Sequence, residues 1–269
     1  MTAGEHNPAP GDGALFLVGL GPGDPGMLTG QAEHVLRSVR RVFGYSLYLD
    51  LLRPSLPELD YRPSPITHEE ARACDAIAAA LAGERIALVG SGDAGVYGLA
   101  GLALEILERE GADQLHVEVV PGVTAALSAA ALLGAPLGHD FCTISLSDLL
   151  TPWPVIRRRL EAAAAADFVT VLYNPASVRR TTQLPEARAL FLAHRQATTP
   201  VGLVSNAYRT GQTVRITSLE RLAREPVDML TTVIIGNSST REWGNRLITP
   251  RGYTGRGRPS PTGTGQETK

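Results

Sequence analysis

The stretch Arg85-Ile86-Ala87-Leu88-Val89-Gly90-Ser91-Gly92-Asp93-Ala94-Gly95-Val96-Tyr97-Gly98 decides how this chain is read. Its first half is a short apolar run of the kind that forms a buried strand in a parallel sheet. Its second half is a turn with four glycines, one acid and one tyrosine. Glycine lets the backbone take left-handed angles and lets a ligand approach the main chain. A second strand of this kind, Leu15-Phe16-Leu17-Val18, runs into Gly19-Leu20-Gly21-Pro22-Gly23-Asp24-Pro25. Two such strand ends predict a small-molecule site at the carboxyl edge of a sheet.

Working outward, strand, turn and helix recur. Thr29 is placed to cap a helix with apolar positions Ala32, Val35, Leu36 and Val39, and Val42 to Tyr45 then reads as a short strand. Leu52 to Ile66 carries four prolines and reads as irregular. Thr67 to Leu81 reads as a helix opened by a capping box of Thr67 and Glu70. A helix from about Leu99 to Glu110 precedes the strand His116–Val120. Pro121-Gly122-Val123-Thr124 follows it and opens an alanine-rich helix over 125–133. Three strand–turn–helix units predict right-handed crossovers and a largely parallel sheet.

Gly134 to Trp153 is less regular and contains Phe141–Ser145 and the polar turn Ser147-Asp148. The alternation then resumes. A helix over 155–166 leads to a strand Phe168–Tyr173 ending in Asn174-Pro175. A helix from about Pro185 to His194 leads to a strand over 200–205 ending in Asn206-Ala207. Further strands are expected at Gln212–Ile216 and Thr231–Ile235. The fold class is α/β, with two halves, 14–142 and 143–248, between a disordered N-terminus (1–13) and a disordered tail (249–269).

Composition excludes several chemistries. The only lysine is Lys269, so a Walker-type phosphate loop and a lysine Schiff base are both absent. Cys74 and Cys142 are far apart and read as small buried hydrophobes. The six histidines show no metal-ligand spacing, and no metal site is expected. A formal net charge of −2 gives no footprint for nucleic acid. No apolar run approaches the roughly 20 residues of a membrane span, and the first dozen residues lack a signal peptide's charged and apolar regions. A cytoplasmic protein is expected.

Gly21 to Gly26 also satisfies the dinucleotide spacing G-x-G-x-x-G, with Asp50 further on. Physics argues against a nicotinamide cofactor here. That motif needs free backbone N–H groups at a helix N-terminus, whereas Pro22 and Pro25 each delete one and the helix opens only near Thr29. Asp24 would repel a diphosphate. A loop carrying Asp24 and Asp93, and no cation, suits a positively charged ligand or one rich in donors. The loop holding His139, Asp140, Ser145, Ser147 and Asp148 is either a site or a solvated connection. Arg157-Arg158-Arg159 reads as a solvated helix face.

At these residues the sequence resembles the tetrapyrrole (corrin/porphyrin) methyltransferases, over about residues 14 to 248. The motifs that carry the resemblance are Val18–Pro25, Gly90–Asp93 with Tyr97-Gly98, Val120–Ala125 and Val233–Gly236, in the family's order. Three stretches look like the branch acting on C17 of precorrin-3B: Phe43–Tyr45 with Tyr48–Asp50, Ser145–Trp153, and Leu172–Pro175, where many family members carry methionine in place of Asn174.

The resemblance implies two αβα domains, the first sheet largely parallel and the second mixed, with the active site in the cleft between them and usually a homodimer. It implies methyl transfer from S-adenosylmethionine, leaving S-adenosylhomocysteine, to C17 of a tetrapyrrole in cobalamin biosynthesis, with ring contraction by extrusion of C20. The substrate is precorrin-3B or, in the anaerobic pathway, cobalt-factor III; a sister enzyme would methylate another carbon. Cosubstrate contacts are implied at Gly21, Pro22 and Gly23, and at Ser91, Gly92, Asp93, Val96 and Tyr97. Further contacts fall at Thr124 and Ala125, at Tyr173 and Asn174, and at Ala207, Thr231 and Thr232. Tyr97 is expected to pack the turn and Asp93 to be available to a ligand donor. Asp24, Ser147 and Asp148 are the candidates for shaping ring contraction, and Arg179 and Arg180 for binding substrate carboxylates. A catalytically silent α/β binding module and a nicotinamide-dependent reductase are the readings from other classes.

Overall fold

Runs of five or six residues form the first sheet, apolar in its inner strands. Its strands are β1 (Ala14–Gly19), β2 (Arg41–Tyr45), β3 (Asp60–Ser64), β4 (Arg85–Gly90) and β5 (His116–Val120). Their order is β3-β2-β4-β1-β5, and every pairing is parallel. The structure, a computed structural model, describes residues 13–253. The disorder expected for the first dozen residues and most of the tail lies outside the described residues; Thr249, inside them, is buried and donates its N–H to the Ala135 carbonyl.

Alternate residues of β1 feed two cores. Ala14, Phe16 and Val18 pack with α1 (Gly30–Ser38) and α2 (Ser46–Leu52), while Leu15 and Leu17 pack with α3 (Glu69–Leu81) and α4 (Ala100–Glu110). Burying each large aliphatic side chain contributes roughly 1.5–3 kcal/mol. The chain leaves β1 through α1 toward β2 on one face. It leaves the neighbouring β4 through α4 toward β5 on the other. The ends of β1 and β4 therefore sit at a topological switch point, the place where an open α/β sheet leaves a crevice for a ligand.

The second sheet is mixed, with order β10-β9-β11-β8-β7. It comprises β7 (Phe141–Ser145), β8 (Val169–Tyr173), β9 (Pro200–Ser205), β10 (Thr213–Ser218) and β11 (Thr231–Ile235). β7 and β8 are parallel; β11 runs antiparallel to both β8 and β9. The carboxyl ends of β8 and β9 thus share an edge with the start of β11. α6 (Trp153–Ala165) and α7 (Gln183–Leu192) cover one face through Ile156, Leu160, Ala187 and Phe191. The other face is covered by α5 (Ala125–Leu133), the helix that follows the first sheet's last strand. A boundary at residue 142 falls inside β7, and α5 already belongs to the second sheet's core. No described helix is long and apolar enough to cross a membrane.

Most expected elements form within two residues of their expected bounds. Thr29 caps α1, its hydroxyl accepting the Ala32 N–H at 3.1 Å. Two expectations need correction, and one hairpin was not expected. The proline-rich stretch 52–66 contains β3, which tolerates Pro63 because it is an edge strand. The capping box at Thr67 does not form: Thr67 has φ +73°, α3 begins at Glu69, and it is Glu69, not Glu70, that reaches back to the Thr67 N–H. The hairpin β12 (Arg241–Trp243) and β13 (Arg246–Ile248), which pairs with the two-residue β6 (Gly134–Ala135), has no periodic signal long enough to read in sequence.

Candidate active site

The glycine loops after β1 and β4 lock to one another. Gly21 and Gly92, both in left-handed backbone, exchange reciprocal N–H···O bonds of 2.9 and 2.7 Å. Gly122 follows β5, and a Cβ there would strike the carbonyls of Gly19 and Gly92. The glycines at 19 and 122 are thus set by main chain packed on main chain, and the glycine at 92 by its φ of +70°. Asp93 fastens this cluster: its Oδ1 accepts the Gly95 N–H at 2.8 Å and its Oδ2 the Gly122 N–H at 3.0 Å. Asp93, expected to be available to a ligand donor, is already engaged with two backbone amides.

The other expected contacts fall around this cluster. Val96 closes the turn with an N–H to the Asp93 carbonyl. Tyr97 does not pack as core. It is 53% exposed with φ +53°, its ring lies 5.0 Å from that of Tyr173, and its hydroxyl donates to the Thr143 carbonyl at 3.0 Å. Tyr173, ending β8, places its hydroxyl 2.6 Å from the Thr124 hydroxyl and accepts the Ala126 N–H at 2.8 Å. Burial raises the Tyr173 phenol above its ordinary range, opposed by these two hydrogen bonds. The start of α5, with Thr124 and Ala125, therefore faces the end of β8.

Asn174 and Asn206 both have φ +50°, a conformation in which asparagine is several-fold enriched. That is a physical reason for asparagine at 174. Ala207 follows at the end of β9. Thr231 and Thr232 are buried in β11, and the Thr231 hydroxyl is already bonded to Ser205 and Asp228. That hydroxyl is therefore committed within the fold.

The three catalytic candidates separate into two places. Asp24 is exposed and caps the short 3-10 turn Pro25–Met27 by accepting the Gly26 N–H at 2.7 Å. Ser147 and Asp148 are in the second half, held by Arg180. Nη2 of Arg180 donates to the Ser147 hydroxyl at 2.9 Å, Nη1 to the Asn174 carbonyl at 3.1 Å, and Nε stands 3.7 Å from Asp148. Gln183 donates to Asp148 at 2.9 Å. Arg180, expected as a carboxylate binder, is committed to this network, while Arg179 is exposed. Arg157 to Arg159 lie on the solvated face of α6, as read from the sequence.

Two residues escaped the sequence reading as site groups. Arg209, four residues after the end of β9, donates through Nε to the Pro22 carbonyl and through Nη2 to Ser91 at 2.8 Å. Its Cζ lies 5.9 Å from the ring centre of Tyr48. Arg209 has no local signal, because it reaches Pro22 across 187 residues, whereas Tyr48 stands in the Tyr48–Asp50 stretch quoted above for the resemblance but not as a binding group.

A methyl-donor sulfonium fits these residues. The strand ends offer backbone and hydroxyl acceptors rather than a phosphate grip, and a Cβ at Gly90 would meet nothing within 4 Å. The 3-10 turn separates the first loop from α1, so no helix N-terminus opens inside it.

This is the fold of a tetrapyrrole methylase. The family model for the tetrapyrrole (corrin/porphyrin) methylases matches residues 14–223, and the chain belongs to that family. It is a methyltransferase whose methyl donor is S-adenosylmethionine. The chain is 46% identical over 244 residues to the cobalt-factor III methyltransferase of Priestia megaterium, covering 90% of this chain and 45% of that protein. It is 45% identical to a probable cobalt-factor III C(17)-methyltransferase of Salmonella typhimurium, covering 89% and 99%. It is 40% identical to the precorrin-3B C(17)-methyltransferase of a Sinorhizobium species, covering 90% and 98%. The chain therefore spans less than half of the first relative and almost all of the other two. The solved structure of the methyltransferase CobJ superposes with a TM-score of 0.82 at 33% identity, covering 88% of this chain and all of that one. A uroporphyrin-III C-methyltransferase from Thermus thermophilus, solved with S-adenosylhomocysteine, gives 0.65 at 26% identity, covering 83% and 97%.

Proposed function

We propose that this protein methylates C17 of a precorrin-3B-level macrocycle and assists its contraction by extrusion of C20. The observation that carries the proposal is the preformed cradle at the switch point, where Gly21, Gly92 and Gly122 interlock and Tyr173 closes over Thr124. The names of the relatives and the three C17-like stretches support the regiochemistry.

S-adenosylmethionine held in this cradle supplies an electrophilic methyl group and departs as the thioether. The chain's own part is placement, and holding two reactants in line contributes roughly 7–11 kcal/mol to such a step. Gly92, Asp93 and Gly122 keep the strand ends in register, and Tyr173 with Thr124 fixes the wall opposite. The remaining expected cosubstrate positions, from Gly21–Gly23 to Thr231-Thr232, form the rest of that wall. Contraction also moves protons and builds negative charge on oxygen, which calls for positioned acids and donors. Ser147 and Asp148, held by Arg180, supply a hydroxyl and a carboxylate in one network, and Asp24 supplies a second carboxylate at the first loop.

The cobalt-bearing substrate, cobalt-factor III, is the second reading, favoured by the two relatives of 46% and 45% identity. Mass spectrometry of products from purified protein, S-adenosylmethionine and either macrocycle tests both readings. A methylated, ring-contracted product from precorrin-3B alone supports the first and from cobalt-factor III alone the second. No methylation of either overturns both. Calorimetry with S-adenosylhomocysteine separates an enzyme from a silent binding module of another class: no binding excludes the methyltransferase.

A further inference from the structure

Beside the first glycine loop, on the face covered by α1 and α2, lies a cavity of about 260 Å³. Its floor is apolar, from Leu28, Leu51, Leu52 and Leu56, and its far wall is polar, from Tyr48, Ser91 and Arg209. Pockets that hold a drug-sized ligand run to roughly 300–1,000 Å³. This one is too small for a macrocycle and large enough for one side arm.

Arg209 is the unusual group. Its Nε and Nη2 are bonded to the Pro22 carbonyl and the Ser91 hydroxyl, both uncharged. No carboxylate stands within ion-pair distance of it among the described residues. Burial pushes the guanidinium below its ordinary value, and Tyr48 is the one titratable neighbour acting against that. Two acids share the cavity, but both have other work. Glu33 is paired with Arg37 at 2.8 Å, and Asp24 holds the Gly26 N–H. A guanidinium carries five donors in a fork matched to a carboxylate, so Arg209 keeps donors to spare. A desolvated cation without a counter-charge is costly, and an incoming carboxylate offsets that cost. Tyr48 stays protonated at neutral pH because burial raises it, and its hydroxyl is bonded to no other described residue.

We infer that Arg209, with Tyr48 and Ser91, forms a carboxylate-binding subsite that takes one acidic side arm of the tetrapyrrole and fixes which way round the macrocycle lies. The inference rests on the methyltransferase reading and names a group other than the arginines singled out from sequence. Arg209 arrives on a second-half loop and grips the Pro22 carbonyl of the first.

The test is a spectroscopic titration of wild type and Arg209→Gln with cobalt-factor III and precorrin-3B and with their methyl esters, alongside calorimetry with S-adenosylhomocysteine. The expected result is at least tenfold weaker binding of the free acid by Arg209→Gln, with S-adenosylhomocysteine affinity within threefold. The esters should bind wild type and variant alike, and Arg209→Lys should recover part of the loss. Equal binding of the acid by wild type and variant overturns the subsite. So does a proportionate loss of S-adenosylhomocysteine affinity, which would make Arg209 only a strut for the loop. If Arg209→Gln does not fold, Tyr48→Phe carries the test: threefold or greater weakening for the acid and none for the ester. Wild type that binds S-adenosylhomocysteine but neither macrocycle overturns the proposed substrate, and the subsite with it.

Discussion

Tyr173 and Thr124 end a strand in one half and begin a helix after a strand in the other, and their hydroxyls lie 2.6 Å apart. The same tyrosine oxygen takes the Ala126 N–H, so one side chain closes the cradle and satisfies the opening turn of α5. Tyr173→Phe removes both bonds while keeping the ring. The expected cost is about 1–3 kcal/mol of stability, read as a lower urea midpoint at unchanged slope, with weakened S-adenosylhomocysteine binding by calorimetry.

Glycine at 122 and glycine at 90 separate packing from access. Gly122→Ala drives a methyl into two carbonyls, and the expected loss is about 3 kcal/mol or more, seen as failure to fold or a large fall in the urea midpoint. At Gly90 a Cβ meets nothing within 4 Å. Gly90→Ala should leave stability within about 0.5 kcal/mol and weaken S-adenosylhomocysteine at least tenfold, because the methyl enters the ligand's space. Unchanged affinity would place the cosubstrate elsewhere.

Asp148 is held by Gln183 and Arg180 and bonds none of the cradle glycines. Asp148→Ala should keep S-adenosylhomocysteine affinity within twofold and lower kcat by about 10²-fold, the scale of a lost acid–base group. Steady-state kinetics beside calorimetry reads both, and unchanged turnover removes Asp148 from the reaction.

Asp60 binds Arg41 at 3.0 Å and Arg62 at 2.8 Å, and the Arg41 hydrogen bond is the main cause holding its carboxyl below the ordinary value. A depressed carboxyl contributes stability above the unfolded value, about pH 3.9, and loses it as pH falls through the folded one. The site is partly exposed, so solvent screening limits Asp60→Asn to under about 1 kcal/mol at pH 7. Urea melts should show that difference shrinking as the pH falls below about 3.9 and through the lower folded value.

The inner strands of the parallel half were legible because they are buried on both faces, as the unbroken run Ala14–Gly19 illustrates. The cradle glycines were legible for the same reason: Gly21 and Gly92 stand directly after such strands. What Asp93 does with its carboxylate was not, since Gly122 lies 29 residues away and reaches it only through the sheet order. Arg209 was invisible for the same kind of reason. Its partners Pro22 and Ser91 belong to the other half, and no local period marks a long-range contact. β3 was obscured by Pro63, which signals a break everywhere except at a sheet edge.

The reciprocal bonds between Gly21 and Gly92 also have a kinetic consequence. Loop amides normally exchange with deuterium far faster than those of central strands. These two are paired like strand amides and flanked by β1 and β4, so they should exchange on the timescale of the sheet even before a ligand arrives. Mass-spectrometric exchange of the unliganded protein would then show slow deuteration at 21 and 92, little altered by S-adenosylhomocysteine. The methyl donor would meet a surface already rigid and lose little entropy in ordering it.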